Sequence, residues 1–145
     1  MPDLYQYQFA AENIDQFSNL TIDGSDFTHD IVIGLSKSGE LFGAQFYEIV
    51  IGGWTGSKSV IRDRTSYNDY TLLVEKSHTK AEFDDFKSDI EVIVTDGQLM
   101  IKVNGSDFME YTNSSIKKNE LKYLFLAGGW GGYGTLKISC PDNGN

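Results

Sequence analysis

Apolar side chains in this chain alternate with polar ones or form short runs, and they do not recur at helical spacing. Tyr5, Tyr7 and Phe9 alternate with glutamines, which is typical of a strand with one buried face. Residues 44–51 carry one charge, Glu48, among mostly apolar and aromatic side chains, which predicts a mostly buried strand. Together these patterns predict about ten short strands, at residues 5–9, 30–36, 44–51, 59–67, 70–77, 89–95, 99–103, 108–112, 123–127 and 135–139.

Turn residues separate the predicted strands. Asp96-Gly97 predicts a tight hairpin, because this pair accepts the positive φ values of a type I′ turn. Residues 11–29 and 78–86 are expected to be irregular, and residues 113–121 are the one stretch that offers a helical turn. Two glycine-tryptophan corners interrupt the pattern, one at Trp54 after two glycines and one at Trp130 within residues 126–134.

Short strands joined by turns at intervals of about 8–12 residues, without a convincing helix, are typical of β-sandwiches. A chain of 145 residues has the size of one domain. The sequence therefore predicts a single all-β domain over residues 1–145, an antiparallel β-sandwich of jelly-roll type.

Successive turns of an antiparallel sandwich fall at alternate ends, so their order along the chain sorts them into two groups. One end is predicted to collect the turns that hold both tryptophans, both histidines and an acidic loop, at residues 23–29, 54–58, 78–86, 104–107 and 129–133. The opposite end collects residues 37–43, 68–69, 96–97 and 113–121. The first end is the candidate site.

The net charge of −9 argues against nucleic acid as a partner, since phosphate backbones are bound by clustered lysine and arginine side chains. Membrane insertion is not expected either, because no apolar run of about 18 residues occurs. The N-terminal residues lack the basic and apolar regions of a signal peptide. Three Asn-x-Ser/Thr triplets, at Asn19, Asn104 and Asn113, nevertheless favour an extracellular, secreted protein.

Cys140 is the single cysteine, which excludes an internal disulfide and a cysteine-based zinc site. Two interpretations stay open, a free thiol and a disulfide that links two copies into a homodimer. A homodimer would suit a protein that binds repeated ligands, because two linked sites raise the overall affinity.

The candidate end combines aromatic rings with carboxylates, amides and a histidine, a combination that suits a sugar. An aromatic ring packs on the apolar C–H face of a hexose while polar side chains bind its hydroxyl groups. The candidate sugar-binding residues are Trp130, Tyr133, Trp54, Asn104, Asp107 and His78. Trp130, among glycines, is expected to face the ligand, and Trp54 is expected to plug the end of the core; a core role for both rings is the alternative.

Acidic residues at the same end are candidate ligands for Ca²⁺, which can coordinate sugar hydroxyl groups directly. The candidate metal ligands are Asp84, Asp85 and Asp107. A solvated Asp84-Asp85 pair is the alternative, because no EF-hand spacing supports a calcium loop. Arg62 and Arg64 are expected to be structural charges, paired with Glu48 or Asp63.

The motifs give little support to an enzymatic function. The chain lacks the Gly-x-Ser-x-Gly elbow of a serine nucleophile. Residues 128–134 are glycine-rich, but they lack the lysine of a P-loop and precede a predicted strand instead of a helix. A pair of catalytic carboxylates would need a cleft that a small sandwich without large insertions does not offer.

Four segments resemble the farnesoic acid O-methyltransferase-like domain of invertebrate proteins: DIVIGLS, IVIGGWTGSKSVIR, DIEVIVTDGQLMIKV and YLFLAGGWGGYGTLKI, which together span about residues 30–138. The resemblance implies a β-sandwich binding module, similar to invertebrate galactose-binding lectins in which Ca²⁺ contacts the sugar. A methyltransferase would instead need an α/β sheet with a glycine-rich loop before a helix, and neither is predicted here.

We therefore expect a non-catalytic lectin that recognises glycans with terminal galactose, with the assistance of Ca²⁺. A structural or protein-interaction domain with both tryptophans in its core is the alternative. A farnesoic acid O-methyltransferase is the remote alternative.

Overall fold

The computed structural model describes residues 8–12, 19–40, 45–66, 68–128, 134 and 136–139. Its strands are β1 Gln8–Glu12, β2 Asn19–Asp23, β3 Ile31–Ser36, β4 Phe46–Gly52, β5 Lys58–Arg64, β6 Tyr70–Ser77, β7 Ile90–Thr95, β8 Gln98–Val103, β9 Ser106–Thr112, β10 Tyr123–Gly128 and β11 Lys137–Ser139, and its helices are α1 Gly53–Gly56 and α2 Lys80–Phe86. A six-stranded sheet has the order β1-β10-β3-β4-β5-β6, and a five-stranded sheet has the order β11-β2-β7-β8-β9. All pairings are antiparallel, which confirms the predicted all-β sandwich. Neither described helix is long and apolar enough to cross a membrane.

The predicted strands agree with the structure except at their ends and at one missed strand. The prediction for residues 70–77 matches β6 in full. Strand β2 lies within residues 11–29, so the expectation that this stretch is irregular was wrong there. Leu20 and Ile22 are its two fully buried residues, and two apolar positions are too few for a periodic pattern. The alternation at Tyr5 and Tyr7 lies outside the described residues.

Helix α2 corrects the prediction of a loop over residues 78–86. Thr79 Oγ1 accepts a hydrogen bond from the Glu82 N–H at 3.0 Å, and Glu82 Oε1 accepts one from the Thr79 N–H at 2.8 Å, which forms a capping box. Phe83 and Phe86, three residues apart on one face, are buried in the core. The helical turn expected in residues 113–121 is confirmed as a 3-10 helix at Lys118–Glu120.

The main core lies between the two sheets. Ile33, Ile49 and Ile61 stand in register across β3, β4 and β5, and all three are fully buried in this core. On the opposite face of the same sheet, a second register row, Ala127, Val32, Val50 and Val60, forms a smaller buried cluster. Every residue of β4 is buried, which confirms the mostly buried strand predicted from its apolar run.

Glu48 is the one charged residue of β4, and it is fully buried. Its Oε1 lies 2.9 Å from Arg62 Nε and 3.2 Å from Arg64 Nη2. Arg62 is its cross-strand neighbour on β5, and both arginines are nearly fully buried. The predicted pairing of Arg62 and Arg64 with Glu48 is confirmed. A buried carboxylate needs such partners, because a charge without them is costly to remove from water.

The hairpin between β4 and β5 turns through α1, whose backbone is largely left-handed. The φ angles are 76° at Gly52 and 84° at Gly56, and Trp54 and Thr55 between them have φ of 52° and 59°. A Cβ atom at Gly52 would overlap the Phe83 ring, and one at Gly56 would lie 2.8 Å from Lys80 Cγ. The two glycines therefore allow α2 to pack closely against this corner.

The sorting of turns into two ends is confirmed for the turns whose contacts the structure describes. At one end the Gly24 N–H donates to Lys87 O at 2.8 Å, and Lys87 Nζ donates to Phe27 O at 2.9 Å. At the other end the Lys118 N–H donates to Asp96 Oδ1 at 2.9 Å. Strand β2 precedes the first sorted turn, so missing it left the order of the later turns unchanged.

Replacement of Gly52 by Ala tests the close approach of α2. We expect Gly52→Ala to cost about 1–3 kcal/mol in the free energy of unfolding beyond the cost of Gly97→Ala, because the new methyl group overlaps the Phe83 ring. Gly97 is the matched control, since its φ is 90° but nothing lies within 4 Å of an added Cβ. Urea unfolding measures both values, and equal costs would contradict the contact.

Replacement of Glu48 by Gln tests the buried charge cluster. The variant leaves two buried guanidinium groups without this carboxylate, so we expect a loss of about 3–5 kcal/mol in the free energy of unfolding. Glu75→Gln is the control, because the Lys58–Glu75 pair at 3.5 Å is partly exposed and should contribute less than about 1 kcal/mol. A small effect of Glu48→Gln in the same assay would show that the cluster does not depend on the charge.

The capping box predicts an acid-sensitive α2. Hydrogen bonds from Thr79 lower the pKa of Glu82 below its ordinary value of 4.5. The ionised form is therefore favoured in the folded state, so this stabilisation is present above pH 4.5 and is lost as the pH falls through the lowered value. Amide hydrogen exchange in α2 should accelerate over that range relative to exchange in β7 and β8. Glu82→Gln accepts the same bond but cannot titrate, and persistence of the acid effect in this variant would refute the assignment.

Candidate functional site

Trp54 is exposed at the end of the sandwich that carries α2. Its side chain is 47% exposed, so the expectation that Trp54 plugs the core was wrong. The left-handed backbone at Trp54 and Thr55 makes the turn. Two cationic side chains of β5 approach the indole ring, with Lys58 Nζ 4.3 Å from the ring centroid and Arg62 Cζ 5.7 Å from it. Its exposure leaves part of the ring available to a ligand.

Two hydroxyl groups hold the strained backbone of this corner. Thr55 Oγ1 and Ser57 Oγ both donate to the Trp54 carbonyl oxygen, each at 2.6 Å. Left-handed φ values at a tryptophan and a β-branched threonine are uncommon, and such strain concentrates at binding and catalytic sites. These two bonds stabilise the turn that presents the indole ring.

A cleft of about 490 Å³ opens beside this ring, and we call it the Trp54 cleft. It is lined by Thr28, His29, Asp30, Gly52, Trp54, Thr55, Gly56, Lys80 and Phe83. The β2–β3 connection supplies a hydroxyl, an imidazole and a carboxylate, α1 supplies the indole ring, and α2 supplies an ammonium group and a phenyl ring. An apolar wall with a few polar groups is the composition of a small-molecule site.

The cleft contains one of the predicted sugar-binding residues, Trp54, and several that the sequence did not single out. Thr28 and His29 come from a turn that was sorted to this end without being given a role, and Asp30 was assigned to the start of the strand that follows. Lys80 and Phe83 were not recognised as site residues, because the stretch that contains them was expected to be a loop. The signal that could have found them is Thr79-Lys80-Ala81-Glu82, which has the Thr-x-x-Glu spacing of a capping box.

His78 lies behind the Trp54 corner and does not line the cleft. Its Nε2 is 2.8 Å from Ser59 Oγ, and its Nδ1 is 3.1 Å from the Thr79 carbonyl oxygen. The ring packs against Phe83, Phe86 and Phe108, with centroid distances of 6.4, 5.3 and 5.8 Å. Both polar atoms of this predicted sugar-binding side chain thus have partners within the protein.

The Ser59–His78 pair has the distance of a serine nucleophile and its base. Ser59 is fully buried, however, and its Oγ also accepts a hydrogen bond from the Gly52 N–H at 3.0 Å. Neither residue lines the Trp54 cleft. The pair therefore links β4 and β5 to the aromatic cluster of Phe83, Phe86 and Phe108.

The three predicted calcium ligands do not converge on one point. Asp84 Oδ2 accepts a hydrogen bond from Lys80 Nζ at 2.8 Å, Asp85 Oδ2 accepts one from Asn104 Nδ2 at 3.2 Å, and Asp107 Oδ1 lies 3.7 Å from Lys102 Nζ. Within the described ranges, no group of three or more His, Cys, Asp or Glu residues could hold a metal ion. Each of the three carboxylates thus has a partner of its own within the protein, and a role for Ca²⁺ stays a prediction.

Asn104 is exposed in the turn between β8 and β9, where its φ is 50°. Its bond to Asp85 brings two predicted site residues together beside α2. Trp130, Tyr133 and Cys140 lie outside the residues that the structure describes. Their assigned roles as sugar-binding residues and as a linking cysteine stay predictions.

Solved structures with a similar architecture include two galectins and a congerin. A human galectin-16 double mutant aligns with a TM-score of 0.56 and 9% identity, covering 92% of this chain and 94% of that one. A single mutant of congerin II aligns with a TM-score of 0.53 and 16% identity, covering 91% and 100%. Sheep galectin-11 in complex with glycerol aligns with a TM-score of 0.51 and 9% identity, covering 93% and 97%. At these identities the likeness establishes a shared lectin-type fold.

Comparison with protein families gives a match along almost the whole chain. None of the curated proteins matches this chain. The model of the family described as Farnesoic acid 0-methyl transferase matches residues 3–142, which includes every described strand and helix and the Trp54 cleft. The chain therefore belongs to the farnesoic acid O-methyltransferase family, within which it forms a β-sandwich of the galectin type.

Proposed function

We propose that the protein binds carbohydrate in the Trp54 cleft and has no catalytic activity. The observation that carries this proposal is the indole ring of Trp54, which is 47% exposed at a cleft with polar side chains on the facing wall. An exposed aromatic ring beside a few polar groups is an arrangement that suits a hexose.

Different side chains of the cleft contact different parts of the sugar. The indole ring packs on the C–H face of the sugar, and the Asp30 carboxylate, the His29 imidazole and the Thr28 hydroxyl bind its hydroxyl groups. Asp30 is 7% exposed, so a hydrogen bond that it accepts from a ligand is shielded from water and therefore strengthened. Lys80 adds a donor from the α2 side.

Terminal galactose is the sugar we propose. Its support is the resemblance to invertebrate galactose-binding lectins and the galectin names of the structural neighbours. A secreted homodimer, with Cys140 as the candidate linking residue, and assistance by Ca²⁺ complete the proposal. Their support is the Asn-x-Ser/Thr triplets, the single cysteine and the acidic residues of the candidate end.

A methyltransferase activity is the second candidate, since the family description names it. A methyl-donor site would normally lie at a glycine-rich loop between a parallel strand and a helix. The paired strands among the described residues are all antiparallel. The two described helices follow β4 and β6, and neither of these strands pairs with a parallel strand in the described part of the chain. These observations favour binding over methyl transfer.

A glycan array in buffers with Ca²⁺, with EDTA and with a reductant tests the proposal. We expect binding to glycans that end in galactose, weaker binding after chelation if Ca²⁺ contributes, and weaker multivalent binding after reduction if Cys140 links a dimer. Calorimetry with S-adenosylmethionine tests the second candidate. Binding of the methyl donor without binding to any glycan would reverse the assignment.

Replacement of Trp54 by Ala tests the site. We expect a loss of sugar affinity of about 30-fold or more, because a central aromatic anchor typically contributes at least about 2 kcal/mol. The melting temperature should change little, since an exposed side chain contributes little to the core. Tyr70→Ala is the matched control, because this ring is 54% exposed and contacts Arg62 but does not line the cleft. Loss of binding in Tyr70→Ala alone would move the site to the face of β6.

A further inference from the structure

His78 is hydrogen-bonded to residues on both sides of the Trp54 corner, directly or through Ser59. Its backbone N–H donates to the Ser57 carbonyl oxygen at 2.9 Å, on the β5 side of Trp54. Its ring nitrogen Nε2 contacts Ser59 Oγ at 2.8 Å, and that oxygen accepts the Gly52 N–H at 3.0 Å, on the β4 side. One residue thus fixes the two ends of the segment that presents the indole ring.

The partners of His78 determine which nitrogen carries the proton. The Thr79 carbonyl oxygen near Nδ1 can only accept, so Nδ1 carries a hydrogen and donates it. Nε2 of the neutral ring is then an acceptor, and Ser59 donates its hydroxyl hydrogen to it. The chain of bonds runs in one direction, from Gly52 N–H to Ser59 Oγ and from Ser59 O–H to His78 Nε2.

Protonation of His78 reverses one of these bonds. Nε2 becomes a donor, so Ser59 Oγ must accept two hydrogen bonds and its own hydrogen loses its acceptor. Ser59 is fully buried, and its described partners are Gly52 and His78. A buried hydroxyl without an acceptor is unfavourable, which shifts the equilibrium toward a displaced His78 ring. His78 is half-buried, so protons can reach it.

The aromatic cluster carries this displacement to the cleft. Phe83 stacks beside the His78 ring at 6.4 Å, lies directly against Gly52 and lines the cleft. A movement of the imidazole therefore changes the packing under Gly52 and beside Trp54 together.

The elements that contact His78, which are α2, β5 and β9, and the adjacent β6 each carry charged groups. On α2, the Glu82 carboxylate caps the helix at Thr79, and its pKa is lowered mainly by the hydrogen bonds from Thr79 and in smaller part by the charge of His78. Lys76 of β6 lies over the Phe108 ring at 5.3 Å. Lys58 of β5 pairs with Glu75, and Asp107 of β9 pairs with Lys102. The direct contacts of the two ring nitrogens of His78 are the neutral oxygens of Ser59 and Thr79.

We propose that His78 is the positioning residue of the Trp54 cleft and that its protonation displaces the Trp54 corner and weakens carbohydrate binding. The weakening of binding rests on the proposed function, and the displacement does not. Neutral His78 holds the corner, so the binding-competent form is the one with an unprotonated imidazole, and protonation of the ring removes it.

The experiment that decides the inference needs no ligand. The protein is labelled with 5-fluorotryptophan, and its two fluorine resonances are assigned with Trp54→Phe and Trp130→Phe. The two histidine rings are followed by nitrogen NMR, with His29→Gln and His78→Gln for assignment. Both sets of signals are recorded between about pH 5 and 8, where imidazoles titrate.

We expect the Trp54 resonance to shift with the midpoint of His78, and the shift to persist in His29→Gln. His78→Gln and Ser59→Ala should each abolish it, and thermal melts identify any variant that fails to fold. In the folded wild type the expected neutral tautomer carries its proton on Nδ1 of His78. Any of three results overturns the inference. The Trp54 resonance does not change as His78 is protonated, the shift persists in folded His78→Gln, or the His78 ring does not titrate between about pH 5 and 8.

Calorimetry with lactose then measures the effect on binding. We expect about tenfold weaker association at about pH 5 than at about pH 8 in the wild type, and a much smaller difference in His78→Gln. Absence of lactose binding at every pH counts against the proposed galactose function, while the fluorine signals still decide the role of His78. Equal lactose affinity at both pH values, alongside a titrating Trp54 signal, overturns the part of the inference that concerns binding.

Discussion

The missing side chain at Gly52 is the constraint on which the candidate site depends. Because no Cβ stands there, the Phe83 ring can lie directly against the end of β4. That contact brings α2 against the hairpin corner, and α2 in turn carries Lys80 into the cleft. The same glycine donates its N–H to Ser59 Oγ, and that oxygen also contacts Nε2 of His78. One position therefore joins the sheet, the helix and the exposed indole ring.

Much of the fold could be predicted from local patterns. The apolar run of β4, the Asp96-Gly97 turn and the full extent of β6 follow from residue type and spacing, because each needs information from a few neighbours only. Helix α2 was missed because two apolar residues in seven, Phe83 and Phe86, are too few to show a helical period. Its capping residues, Thr79 and Glu82, were nevertheless recognisable in the sequence. Strand β2 was missed for the same reason of length.

The site was harder to predict than the fold, for a physical reason. Whether Trp54 is buried depends on left-handed backbone angles at Trp54 and Thr55, which neither residue type favours. The facing wall comes from a turn about 25 residues earlier and a helix about 25 residues later, and tertiary packing alone joins them. The acids that suggested a metal are neighbours of lysines and an amide, which a count of charges does not reveal.

The pairing order of the two sheets has a consequence for how the chain reaches its structure. Strand β1 pairs with β10, and β2 pairs with β11, so each sheet joins segments that are about a hundred residues apart in sequence. Closing such long loops costs entropy before the contacts form, and topologies of this kind fold slowly. During synthesis, β3 to β9 emerge before the strands that complete either sheet. The nascent protein must therefore keep the free edges of β2 and β3 from pairing with other chains until β10 and β11 leave the ribosome.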